Sequence, residues 1–455
     1  MSEITSTEEH PVPGTSRDAL EPPEATPEQG GVGARVKRSD VYRSVFRHPR
    51  IETPRGRALQ GFSNFFLHLY PVKVPAKVLR LRYSFRLGFI ASVLFAILAV
   101  TGIMLMFFYT PAVGSAYGNM QQLKTGVGFG QLVRNVHRWS AHLMVLVVFL
   151  HMTRVFYAGA YKKPREFNWV IGVVLLFLTL ALSFTGYLLP WDQLSYWAVT
   201  VGTNLVQYIP LAGSTVQSLL IGGDQIGQST LLRFYVLHIA VLPMSVVLAL
   251  CIHIWRVRKD GFAVPRSSVE LADPDDPPPA GRGPAGAPAA LYSGRTRVLG
   301  VVDRETITAE ERPADDTVFT WPHLIVRHVV VALCTAVVVL ILGVAFAAPL
   351  RDIANPNLTP EPAKAPWYFA GLQEMLSHFD PLIAGILIPT AAAIALLLLP
   401  YIDRNPDTRA SHRKVAVTIF SVLLGIAIAL TVIGTFFRGP GWAFIAPWTH
   451  NYIEF

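Results

Sequence analysis

The sequence predicts an all-α, polytopic membrane protein: a four-helix bundle built around two His–His sites, followed by three further transmembrane helices. Three observations predict it. Of the 455 residues, 52% are hydrophobic and only 15% charged, a composition that excludes an ordinary soluble protein. Apolar runs long enough for a helical crossing occur seven times, at approximately 87–109, 134–157, 168–189, 234–255, 328–349, 381–401 and 414–436. Four histidines stand in two pairs inside these runs: His137 and His151 are 14 residues apart, and His238 and His253 are 15 apart.

Taken in order, residues 1–40 are polar and rich in Pro, Gly and Glu, which predicts a disordered tail. Neither they nor the first apolar run match a cleavable signal peptide. Residues 41–80 set Phe62, Phe65, Phe66 and Tyr70 among basic neighbours, the pattern of a helix lying on a membrane surface. Spans one to four complete a region over 41–260, with 190–230 as a long connection whose Gln, Ser and Gly content suits short surface helices. Residues 264–315 are rich in Pro, Gly, Ala and Asp and predict a flexible linker, bounded at 261–319. A three-span region over 320–455 follows.

The net charge of +9 is placed for a lipid bilayer rather than a nucleic acid. Basic residues crowd Arg35 to Arg86, and recur at Lys162, Lys163 and Arg165, at Arg256, Arg258 and Lys259, and from Arg404 to Lys414. The alternate connections are poor: 110–130 holds only Lys124 and 190–230 holds no Lys or Arg. The positive-inside rule then puts the N-terminus in the cytoplasm and the C-terminus outside, the parity seven spans require. The only cysteines, Cys251 and Cys334, lie in predicted spans, so no disulfide framework or Cys-based cluster site is available.

An ionisable residue inside a span is costly and marks function by default. A single His there can be a hydrogen-bonded core residue; two pairs with matched spacing point elsewhere. At 1.5 Å rise per residue the paired rings stand roughly 21–22 Å apart along the axis, and 14 steps nearly close four turns. Two such helices side by side present two stacked His–His sites, the layout needed to hold two haems and pass electrons across a bilayer. Bis-imidazole ligation leaves iron with no open position and suits electron transfer. His142 belongs to no pair and reads as packing. Gly88 and Gly102, and likewise Gly172 and Gly186, repeat the 14-residue spacing in spans one and three, where glycine admits close approach of a flat ring. Arg134 and Arg154 lie three residues outside His137 and His151, placed either for a haem propionate or as interface anchors. In the connection 350–380, Pro366-Trp367-Tyr368 precede Glu374. A carboxyl group beside an aromatic pocket suits acceptance of a quinol proton, with Glu361 as the rival.

These residues resemble the cytochrome b/b6 family. GFGQLVRNVHRWSAHLMVLVVFLHMTRVF (128–156) is similar to its second helix, GYLLPWDQLSYWAV (186–199) to its quinol-pocket segment, and LLRFYVLHIAVLPM (231–244) with HIWRVRKDG (253–261) to its fourth helix. The 15-residue second spacing is similar to the b6 type rather than the mitochondrial type, and the C-terminal half resembles subunit IV of the cytochrome b6f complex, fused through the linker. The resemblance implies a bacterial bc-type quinol oxidoreductase subunit of the cytoplasmic membrane, multi-pass, in a homodimeric complex. Quinol or menaquinol would be the electron donor, and a Rieske iron–sulfur protein and/or a c-type cytochrome the partner. His137 and His238 would ligate the haem near the external face, His151 and His253 the haem near the cytoplasm, with Arg134 and Arg154 serving propionates. Pro190, Trp191, Trp367 and Tyr368 would line quinol oxidation, and Arg258 and Asp260 quinone reduction. Two departures stand out. The family's Pro-Glu-Trp-Tyr reads Ala365-Pro366-Trp367-Tyr368 here, which makes Glu374 the candidate proton acceptor. Arg86 replaces the Cys that attaches a third haem in b6-type proteins, which implies two non-covalent b-type haems. A di-haem anchor that relays electrons without bifurcation is the alternative.

Overall fold

The structure, a computed structural model, describes residues 69–263, 317–360, 364–437 and 444. The expected tail 1–40, most of the expected surface helix, the linker over 264–316 and Glu361 lie outside the described residues. Among the described residues, eleven helices of nine residues or more carry the architecture: α1 Leu87–Met106, α2 Ala116–Thr125, α3 Gly130–Tyr157, α4 Glu166–Leu188, α5 Gln193–Val206, α6 Gly213–Ile221, α7 Gln228–Asp260, α8 Thr320–Ala345, α9 Trp367–Leu376, α10 Leu382–Ile402 and α11 Lys414–Phe436. Seven of them, α1, α3, α4, α7, α8, α10 and α11, are long and apolar enough to cross a membrane.

Local chemistry sets most helix limits. Thr110-Pro111 follows α1, and the run 107–109, apolar but no longer regular helix, lies beyond its end. α8 begins eight residues before the expected 328 and stops at Ala345, because Pro349 forces extended backbone ahead of it. Asp192 caps α5: its carboxylate accepts from Ser195 N–H at 2.9 Å, and Ser195 Oγ accepts from Asp192 N–H at 3.2 Å. Two spans contain a π-helical turn, 237–241 in α7 and 382–387 in α10. Each precedes a proline, Pro243 or Pro389, which lacks an N–H and crowds the carbonyl four residues back. A wider turn takes up the extra residue.

Two expectations are corrected at the entry to the bundle. Within the expected surface helix, Lys73–Pro75 forms a strand, β1, paired antiparallel with Thr317–Phe319, β2, in the register Lys73 to Phe319 and Pro75 to Thr317. Pro75 supplies no N–H, so β1 is short and a single 3₁₀ turn, Ala76–Leu79, follows it. The linker therefore gives way to ordered structure at Thr317 rather than after 319.

The helix surfaces point their large apolar side chains outward, Leu333, Ile341, Val415, Leu423 and Ile426 among the exposed ones, as a lipid-facing surface requires. Polar clasps join the two halves at both ends of the spans. At the His137 end, Asn135 of α3 donates to Gly343 O at 2.7 Å and accepts from Ala348 N–H at 2.8 Å. There too the α4–α5 corner bridges Asp192 to Ile353. At the His151 end, Asp403 binds Lys162 at 2.9 Å and accepts from the Tyr161 hydroxyl. Fully buried Arg413 donates to Tyr161 Oη at 2.9 Å and to Phe156 O at 3.0 Å.

Removing Asp403 strands Lys162 and Arg413 as buried cations, so Asp403→Ala should destabilise the joint by about 3–5 kcal/mol. Burial alone would raise the Asp403 pKa, but hydrogen bonds from Tyr161 and Lys162 outweigh it and hold the carboxyl below its usual value. A depressed carboxylate stabilises above the unfolded pKa of about 3.9 and ceases to as pH falls through the folded value. Thermal melts of detergent-solubilised protein should therefore separate wild type from Asp403→Ala at pH 7, with the gap narrowing only below about pH 4.

Candidate functional site

The four paired histidines come together as the spacing predicts. His137 of α3 faces His238 of α7 with ring centres 6.3 Å apart and planes at 73°, and His151 faces His253 at 6.5 Å and 84°. Metal–imidazole bonds run about 2.0–2.1 Å and the ring centre lies about 1 Å further back, so two rings sharing one metal stand about 6 Å apart. Both pairs fit that separation. The π-helical turn explains the unequal spacings. His238 sits inside it, and the wider turn absorbs one residue, so 15 residues on α7 span the same register as 14 on α3.

Glycines admit the rings. A Cβ at Gly186 would fall 2.4 Å from His238 Cε1, at Gly88 3.1 Å from His151 Cε1, at Gly102 3.3 Å from His137 Cε1 and at Gly172 3.6 Å from His253 Cε1. Each of the four glycines thus backs one of the four imidazoles. The pairing of 88 with 151 and of 102 with 137 also makes α1 and α3 antiparallel, as 172 with 253 and 186 with 238 does for α4 and α7.

Two threonines missed by the sequence reading fix the ring chemistry at one level. Thr101 donates its hydroxyl to Ile97 O at 2.7 Å, so at 2.9 Å it accepts from His137 Nδ1–H. His238 Nδ1 lies 3.1 Å from Leu182 O and 3.3 Å from Thr185 Oγ1; a carbonyl only accepts, so Nδ1 donates. In both rings the proton on Nδ1 leaves the lone pair on Nε2, the form a metal ligand needs. The signal was present: each Thr immediately precedes one of the paired glycines, Gly102 and Gly186. Gly88 and Gly172 follow Leu87 and Ile171 instead.

The arginines divide. Arg134 is buried and donates to Ala348 O at 2.7 Å and Pro349 O at 2.6 Å, so it clasps α3 to the segment after α8. Arg154 donates to Tyr83 O at 2.5 Å and lines a cavity of about 360 Å³ beside the second pair. Arg258 and Asp260 line that cavity too, along with His151, His253, Gly88 and Gly172. Asp260 is paired with Arg256 at 2.9 Å.

At the other end, the first turn of α9 lies across α3 and α4. Trp367 Nε1–H donates to His142 Nδ1 at 3.0 Å, the His142 ring lies 5.8 Å from Tyr368, and Phe369 meets Phe184 edge-on at 6.2 Å. His142 is therefore a polar anchor for the aromatic string rather than simple packing. Trp191 is buried in a cluster with Tyr196, Val199 and Phe234, which reaches the string through Phe184. Its neighbour Pro190 ends α4. Glu374 is buried two turns along α9, against Gly434 of α11, with its carboxylate 3.3 Å from His378 Nε2.

Comparison with known proteins places this geometry. Residues 73–261 match the family described as cytochrome b/b6/petB, and residues 353–453 match cytochrome b (C-terminal)/b6/petD. Cytochrome b6 of Acaryochloris marina is 45% identical over 179 residues, 39% of this chain and 83% of that protein. The chain belongs to the cytochrome b/b6 family. Cytochrome b6 of Heliomicrobium gestii is 43% identical over 192 residues, 42% of this chain and 89% of that protein. The fold extends to a solved structure titled hyperthermophilic respiratory Complex III, with a TM-score of 0.63 at 24% identity, covering 79% of this chain and 85% of that one. As a family member the chain is a multi-pass, haem-binding protein of electron transport, with b6-like and subunit IV-like regions in one polypeptide.

The glycine contacts order the cost of adding one methyl group. Gly186→Ala should displace the His238 ring and lower the haem content, whereas Gly172→Ala, at ordinary contact distance, should leave it unchanged. Haem content from pyridine haemochrome spectra of the purified variants checks the order, and equal loss in the two would contradict it.

Proposed function

We propose that the chain is the cytochrome b subunit of a bacterial (mena)quinol:cytochrome c-type oxidoreductase, holding two non-covalent b-type haems. The observation that carries the reading is the pair of facing imidazole sites, 6.3 and 6.5 Å between ring centres, stacked through four spans. Arg86 where b6-type proteins carry a Cys supports two haems rather than three. The basic residues Lys162, Lys163, Arg256, Arg258 and Lys259 gather at the His151 end, which supports a cytoplasmic N-terminus and an external His137 end. Bound haems supply one-electron transfer between the two faces.

The chain's own groups divide the remaining work. Quinol oxidation is assigned to the external end, where Trp367 and Tyr368 meet His142 of α3 and Pro190 and Trp191 form the corner between α4 and α5. A Rieske protein or c-type cytochrome outside this chain takes one electron. Glu374 takes a proton: it lies seven residues beyond Trp367, on the same helix stripe about 10 Å along. His378, partly exposed, continues the path outward. Quinone reduction is assigned to the neighbourhood of Arg258 and Asp260, at the rim of the cavity whose His151, His253, Gly88 and Gly172 would hold the haem. Ala365-Pro366 in place of the usual Pro-Glu favours a second reading, a di-haem relay without bifurcation. An inhibitor of the external quinone pocket separates the two, because only bifurcated oxidation requires that pocket.

Acid–acetone extraction should remove all haem from the polypeptide, and redox titration should resolve two midpoints. His137→Leu should lose one midpoint and keep the other; two unchanged midpoints would remove His137 from the ligand set. Glu374→Gln should slow quinol oxidation by at least about tenfold, the low end of general-base losses, with both haem spectra intact. Full turnover in Glu374→Gln together with loss in Glu361→Gln would transfer the role to Glu361.

A further inference from the structure

The two His–His levels are alike in ring spacing and unlike in what stands behind the rings. Behind His137 and His238 one arrangement repeats. The residue just before the ring-backing glycine is a threonine, Thr101 before Gly102 and Thr185 before Gly186. Thr101 Oγ1 lies 2.9 Å from His137 Nδ1, and Thr185 Oγ1 lies 3.3 Å from His238 Nδ1. The carbonyl four residues before the glycine, Leu98 or Leu182, stands behind the same nitrogen. Each hydroxyl directs its own hydrogen to the preceding turn, Thr101 to Ile97 O at 2.7 Å and Thr185 to Ala181 O at 2.9 Å. Each oxygen is therefore left to accept from the ring. Both threonines are buried, which strengthens these bonds by keeping water away.

The level of His151 and His253 lacks the hydroxyls: Leu87 precedes Gly88 and Ile171 precedes Gly172. His253 Nδ1 is buried without a hydrogen bond among the described residues. The Asn168 carbonyl, four residues before Gly172, approaches it without meeting hydrogen-bond geometry. The matching carbonyl for His151 would be that of Ser84. Phe85 and Arg86, with left-handed φ of 47° and 53°, break the helix between Ser84 and Gly88. The difference acts on a metal through the ring. An Nδ1–H drawn toward an oxygen makes Nε2 the stronger donor. A stronger donor favours the more positive oxidation state and so lowers the reduction potential. A backbone carbonyl is fixed by the fold, whereas a hydroxyl is a choice of side chain.

We propose that Thr101 and Thr185 are redox-positioning residues: by accepting from Nδ1 of His137 and His238 they lower the potential of the haem held at that level, an effect absent at the other level, where Leu87 and Ile171 take their places. The proposal rests on the bis-imidazole haem reading above, and each threonine acts through its histidine.

The test is potentiometry of the purified intact complex, followed through the reduced haem bands, with haem content measured on the same samples. The midpoint in question is the one that His137→Leu abolishes. Thr101→Val, close to threonine in shape but without the hydroxyl, should shift that reduction equilibrium toward the reduced form by about tenfold, the scale of one buried hydrogen bond. That is about 59 mV upward for one electron, with the other midpoint unmoved. Thr101→Ser, which keeps the hydroxyl, should recover most of the shift. Ile171→Thr, which sets a hydroxyl behind His253, should lower the second midpoint. Unchanged midpoints in Thr101→Val with both haems present overturn the proposal. A shift in Thr101→Ser equal to that in Thr101→Val also overturns it, because the effect then belongs to packing. Should Thr101→Val lose a haem, whichever of Thr185→Val and Ile171→Thr retains both decides, and unchanged midpoints there overturn the proposal. If His137→Leu removes no midpoint, the haem-ligand reading itself is overturned, a distinct result.

Discussion

Everything in the four-span half answers to one requirement: two imidazoles must face each other across a fixed gap, twice, inside a bilayer. The gap sets the helix phase, because a ring one residue out of register turns about 100° away from its partner. It also sets the neighbours. The backbones of α1 and α4 run so close behind the rings that Gly186 has no room for a Cβ beside His238. At the His137 level it further sets the protonation of each ring through Thr101 and the Leu182 carbonyl. Proline looks like an intruder in α7, yet Pro243 brings the wider turn that returns His238 and His253 to the register of the other pair.

The second half depends on the first through polar clasps at the ends of the spans rather than through greasy contact between them. Lipid competes equally well for apolar side chains, so apolar burial does little to bring two spans together. Backbone carbonyls released at helix ends are different, since each needs a donor. Arg134 and Asn135 satisfy carbonyls at and beyond the end of α8, and Arg413 satisfies those of Phe156 and Tyr157 at the end of α3. These clasps hold α9 where its aromatic string crosses α3 and α4.

What was legible in the sequence follows from the range of the interactions. Composition alone decides which segments cross a membrane, so α10 and α11 lie within a residue of their expected limits. Spacing alone decides which face a residue shares, so the histidines and glycines were found as pairs. Helix starts were less visible: α8 begins among Thr320, His323 and Arg327, whose polarity lowers hydropathy without disturbing helix geometry. Long-range partners left no local trace. His142 reads as packing until Trp367, 225 positions away, is seen to donate to it. Arg134 reads as a propionate or interface residue, and its bonds to the carbonyls of Ala348 and Pro349 have no local signature.

The two-stranded pairing of Lys73–Pro75 with Thr317–Phe319 bears on how such a polypeptide can be encoded. One strand belongs to the b6-like half and the other opens the half that follows. A chain divided between Ala263 and Thr317 would carry one edge of the sheet, and one partner of every clasp between α3 and the α8 end, on each piece. The register of the two halves is thus written in non-covalent edges as well as in the continuity of the chain.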